Sequence, residues 1–185
     1  PDIHTPNHNY NAITTVLKFI KFYKPQVLIQ LGDFCDWDSV SSYLPRNEKD
    51  LITIDDEADS ANKLLDEIDS LCKKSNVQTK IMLGGNHEDR YATYRINQGM
   101  NVASRRMKTF TSWHKEYELD LRGWKHFDYG EHFQLGKIVF AHGWFTGNTA
   151  AKKMAECFPG RNIITGHTHN HLVYNCLDDK DLPIS

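Results

Sequence analysis

The sequence predicts a layered α/β domain. Three observations carry that expectation. Amphipathic helical stretches alternate with short apolar runs through the first half of the chain. Those runs end in glycine and polar residues, as buried strands do. The chain has 185 residues, which suits a single domain, here 1–185, with a sizeable core.

Each element follows from its pattern. "NAITTVLKFIKF" sets Ile13, Val16, Leu17 and Ile20 on one helical face. "QVLIQLG" then reads as a buried strand. "DSANKLLDEIDSLCKK" aligns Ala61, Leu64, Leu65, Ile68 and Leu71, with acids early and lysines last, as a helix dipole favours. "TKIMLGG" is the next strand. In the second half, "FQLGKIVFAHG" predicts two strands around a Gly136-Lys137 turn, "NTAAKKMAECF" a short helix, and "NIITG" and "HLVYNCL" further strands. No internal repeat, low-complexity tract or linker interrupts the pattern.

Composition narrows the function. The net charge of -2 gives no overall pull toward nucleic acid or anionic membranes. No stretch approaches the roughly 18–20 apolar residues that span a bilayer, and no signal segment opens the chain. Cys35, Cys72, Cys157 and Cys176 form no CxxC pair, which fits reduced thiols in a cytoplasmic protein.

Residues 90–126 differ in chemistry. They carry eight basic residues against three acids, so +5, which leaves -7 for the rest of the chain. Tyr91, Tyr94, Phe110, Trp113, Tyr117 and Trp124 lie among them. Two readings stand: a helical cap over the active site with packed aromatics, or a nucleic-acid surface whose arginines hold phosphates while aromatics stack bases.

Five polar clusters punctuate the chain: "DIH", "GDFCD", "GNHE", "AHG" and "GHTH". Four of them directly follow an apolar strand-like run. In α/β sheets, ligands gather beyond the carboxyl ends of strands, so a common edge would bring distant clusters together. Imidazole, carboxylate and amide oxygen suit borderline divalent metals, with Mn preferred and Fe, Zn, Co or Ni alternatives. The candidate ligands are too many for one tetrahedral ion, and two ions sharing a carboxylate account for them.

The ordered set D-x-H, G-D-x-x-D, G-N-H-E, H-G and G-H-x-H, running from residue 2 to residue 169, resembles the calcineurin-like metallophosphoesterase family. The resemblance implies a four-layer α/β/β/α sandwich. Its first strand and C-terminal strands are expected to lie outside this sequence. The resemblance also implies roles: Asp2, His4 and His169 on the first metal, Asn86, His142 and His167 on the second, Asp33 bridging both, and His87 facing the phosphate as electrophile or general acid. A metal-bound hydroxide would attack phosphorus opposite the leaving oxygen. Gly84 and Gly85 would let the backbone turn tightly enough to aim Asn86 and His87. Asp36 and Glu88 are expected to accept hydrogen bonds from ligand imidazoles. Arg90 either pairs with an acid or contacts substrate. His8, near a helix start, is a candidate phosphate contact. His114, His126 and His132 are expected to be solvated or locally bonded, and His171 to border the site.

The expected activity is hydrolysis of a phosphodiester, nucleic acid or nucleotide among the candidates because of the basic aromatic segment. A phosphomonoesterase or protein phosphatase is the alternative within the class. A non-catalytic scaffold on the same fold is the alternative outside it. Oligomeric state is not legible.

Overall fold

The computed structural model describes residues 1–41, 52–101 and 112–175. Two three-stranded sheets form its centre. The first holds β1 (Val27–Gln30), β2 (Thr79–Leu83) and β3 (Trp124–Phe127), all parallel, in that order. The second holds β4 (Phe133–Leu135), β5 (Ile138–Ala141) and β6 (Asn162–Thr165), with β4 antiparallel and β6 parallel to β5. Helices α1 (Tyr10–Tyr23) and α2 (Ile54–Lys74) pack on each other beside the first sheet, and α5 (Ala150–Cys157) packs by β6. This is an α/β fold with one parallel and one mixed sheet, consistent with the sandwich that the motifs imply.

Local chemistry sets the boundaries. Asn9 caps α1 by accepting from the amides of Asn11 and Ala12, and Lys24, at φ 51°, ends it. The helix packs through Ile13, Leu17 and Ile20, while Val16 stays exposed, because α2 covers only a narrow stripe. A capping box of Thr53 and Asp56 starts α2 earlier than its apolar pattern suggests. Ala61, Leu64, Leu65 and Ile68 of that helix are buried with Cys72. The hairpin at Gly136-Lys137 joins β4 to β5 as expected. Residues 171–175 carry no strand, contrary to the reading of "HLVYNCL", whose last two residues lie outside the described ones.

The basic aromatic segment does not form a separate cap among the described residues. It supplies most of α3 (Asn86–Asn101), then α4 (Trp113–Glu116) and the sheet-edge strand β3. Tyr91, Trp113, Tyr117 and Trp124 are buried in the main core with Phe34, Trp37 and the apolar face of α2. Trp37 stacks on Tyr91 at 4.2 Å and donates its indole N–H to the Tyr117 hydroxyl at 3.1 Å. No helix among the described residues is long and apolar enough to cross a membrane.

The carboxyl ends of the two sheets meet. His142, just after β5, bonds to the Leu31 carbonyl, just after β1. The first motif runs alongside the loop after β1. Amides of Asp2, Ile3 and Thr5 donate to carbonyls of Gly32, Asp33 and Phe34 at 3.0, 2.9 and 2.9 Å, and the Asp36 amide returns to Thr5. With the His4 amide also donating to the Asp33 carbonyl at 3.1 Å, five backbone bonds fix Asp2 and His4.

Candidate metal centre

Four loops deliver the polar clusters to this shared edge: those after β1, β2, β5 and β6. The "DIH" segment is the fifth contributor, held beside the first loop. Two donor groups hold the candidate ligands, and a third, His4, Asp36 and His87, overlaps the first through His4. Asp2, His4 and His169 make the first, and Asp33, His142 and His167 the second; within each, the ligand atoms lie within 4.8 Å of one another. His167 joins the groups, because its amide donates to Asp2 Oδ1 at 2.8 Å and its ring lies 5.1 Å from that of His142.

The imidazoles are oriented from behind. His142 donates Nδ1–H to the Leu31 carbonyl at 2.7 Å, so Nε2 faces Asp33 Oδ2 at 3.2 Å and Asn86 Oδ1 at 3.0 Å. His4 donates Nδ1–H to Asp36 Oδ1 at 2.7 Å, and its Nε2 opposes His169 Nε2 at 3.1 Å. Asn7 donates to the other Asp36 oxygen at 2.8 Å, a positioning contact that sequence reasoning missed. Asp36 thus accepts from both an imidazole and an amide, the kind of contact that fixes a ring's orientation. Two imidazole nitrogens face to face need a proton or a cation between them. The donor chemistry fits divalent ions.

Electrostatics agree. Burial opposes ionisation of Asp33, but the hydrogen bond and charge of His142 outweigh it and hold the carboxyl down at about 2. Burial would lower the pKa of His142, yet Asp33 raises it. The same contest, won by Asp36, raises that of His4. Burial and His142 push His167 down, toward the neutral ring that a metal takes.

Glu88 corrects an expectation. Among the described residues it accepts no hydrogen bond from an imidazole. Fully buried, its carboxylate accepts from the amides of Asp33 at 2.9 Å, Phe34 at 2.9 Å, Cys35 at 3.3 Å and Gly85 at 2.7 Å, and from the Tyr117 hydroxyl at 3.1 Å. It holds the loop that carries Asp33. Burial, with Asp33 nearby, pushes its pKa up against the pull of those amides. Gln30 braces the same loop, bonding both backbone groups of Gly32. The glycines are also needed for a different reason than turning: a Cβ on Gly85 would overlap the Asp33 carboxylate, and one on Gly32 would sit 2.5 Å from His142 Nδ1. Only Gly32 of the two has a positive φ, 89°.

His87 opens α3. Its amide donates to Asp33 Oδ1 at 3.0 Å, its Nδ1–H to the Asp36 carbonyl at 2.7 Å, and its Nε2 lies 3.9 Å from Asp33 Oδ2. Arg90 donates to the same Asp36 carbonyl at 3.1 Å. His8 is not brought into either donor group. His114 and His126 are locally bonded, to Ser112 and Asp120. With Asp120 they form a separate cluster, but their rings stack at 3.8 Å and 15°, so their in-plane lone pairs do not converge on one ion.

The base-stacking reading of residues 90–126 fails for the buried aromatics. Arg122 is engaged by Asp66 and Asp69, and Arg95 by Glu116. Arg105, Arg106, Lys108 and Phe110 lie outside the described residues.

No curated protein and no solved structure compared with the chain matches it. The model of the calcineurin-like phosphoesterase family matches residues 1–171. With its metal-ligand side chains clustered at one edge of that fold, the chain belongs to the calcineurin-like phosphoesterases, and the fold and the cluster support metal-dependent hydrolase activity.

Proposed function

We propose that residues 1–185 form one catalytic domain that hydrolyses a phosphodiester with two divalent ions, manganese foremost, in a reducing, cytoplasmic setting. The division of the donors into two adjoining groups carries this reading. Asp2, His4 and His169 would hold the first ion, Asn86, His142 and His167 the second, and Asp33 both. When bound, such a pair supplies hydroxide near neutral pH and neutralises charge developing on phosphorus.

The chain's own residues do the rest. Asp36 and the Leu31 carbonyl keep His4 and His142 turned so that Nε2 is the nitrogen presented. The Asp36 carbonyl does the same for His87, which leaves its Nε2 beside Asp33; as the imidazolium, with Nδ1–H kept on that carbonyl, the ring would pass its Nε2 proton to the leaving oxygen and end as the neutral Nδ1–H form. Two divalent ions and the carboxylates of Asp2 and Asp33 leave two positive charges, and neutral Asn86 does not quench them. A hydroxide with a singly charged diester balances that field, whereas a doubly charged monoester overfills it.

The test compares bis-p-nitrophenyl phosphate with p-nitrophenyl phosphate on manganese-loaded protein. The diester should be the better substrate. His87→Ala should lower kcat by about 10²-fold with the metal content unchanged. Preference for the monoester would overturn the substrate class, and an unaltered rate would remove His87 from the chemistry.

A further inference from the structure

Arg90 stands one helical turn after His87, so both side chains leave the same face of α3. They share one anchor. The Asp36 carbonyl accepts His87 Nδ1–H at 2.7 Å and Arg90 Nη1–H at 3.1 Å. That common hinge sets His87 Nε2 and Arg90 Nη2 side by side, 3.4 Å apart. At that separation the contact is too long for a good N–H···N bond, and Nη2 keeps donor capacity.

The charge of Arg90 is only loosely neutralised. Its one ion pair among the described residues is to Asp38, at 3.9 Å, and the side chain is 22% exposed. Arg122, by contrast, is closed off by Asp66 at 2.6 Å and Asp69 at 3.1 Å. A half-buried guanidinium held next to the nitrogen that faces the reaction suits a phosphoryl oxygen, which guanidinium binds better than a point charge does.

Resting on the hydrolase reading above, we propose that Arg90 is a substrate-contacting residue. It takes a non-bridging oxygen of the scissile phosphate, while His87 beside it takes the leaving oxygen. The remaining ester oxygen then points away from both, where a second substituent fits. Arg90 would therefore bind the anion directly rather than act through His87.

A double-mutant cycle separates those roles. Binding of inorganic phosphate to manganese-loaded protein is measured calorimetrically for wild type, Arg90→Gln, His87→Ala and the double variant, with metal content read in each. Arg90→Gln should weaken phosphate about tenfold or more and raise KM for bis-p-nitrophenyl phosphate, with both metals retained. The loss should be the same in the His87→Ala background, and Arg90→Lys should restore part of it. Unchanged phosphate affinity, or a loss seen only when His87 is present, would overturn direct contact. Wild-type protein that binds phosphate through Arg90 yet hydrolyses no ester would sink the hydrolase reading and leave this one standing.

Discussion

The two donor groups are built to different standards. Asp33 and His142 are each 1% exposed. Their loop is gripped by Glu88 through four backbone amides and braced by Gln30. The other group lies nearer the surface: the His169 side chain is 57% exposed, and Asp2 and His4 come from a segment laid along the first loop. One group is a product of the core, and the other is assembled on its rim. Preorganised donors bind more tightly than donors that must be ordered, so the inner position should hold its ion longer.

The comparison breaks first at Asp33, the residue proposed to serve both halves. Asp33→Asn should release both ions and cost about 10²–10³-fold in kcat. Elemental analysis that still finds two metals per chain would refute the shared carboxylate. Next comes the grip on the inner loop. Glu88→Ala leaves four buried amides without an acceptor and should destabilise the chelated protein by about 3 kcal/mol or more, read from urea melts. A loss under 1 kcal/mol, on the order of one ordinary hydrogen bond, would mean that the loop holds itself. Finally, Asp36→Asn should weaken only the outer ion, by about 10–100-fold. A cobalt or manganese titration that shows both steps moving together would erase the distinction between core and rim.

Much of this was legible in the chain. Short apolar runs ending in glycine located five of the six strands among the described residues, and the clusters behind four of them marked the edge where the candidate ligands meet. The start of α3 was not legible, because Asn86, His87 and Asp89 carry no apolar periodicity and the two glycines before them read only as a turn. Strand β3, "WKHF", is short and charged, so nothing in its composition separates it from a loop. Glu88 was recognised as an acceptor but given the wrong donors. Its four amide partners come from backbone, which leaves no trace in residue type. The arginines of residues 90–126 misled for a related reason: Arg122 finds its acids on α2, more than 50 positions earlier.

Asp2, His4, Asp33, His167 and His169 all adopt φ between 51° and 73°, a conformation that costs a side-chain-bearing residue about 1–2 kcal/mol. Five of the seven proposed ligands therefore sit where glycine would be more comfortable. Without metal, His169→Gly should melt at a higher temperature than His169→Ala, by the equivalent of about 1 kcal/mol; equal melting points would show that the turn is relaxed. If it holds, selection for durability alone would erode this centre one glycine at a time, and only continued demand for the chemistry keeps histidine and aspartate in place.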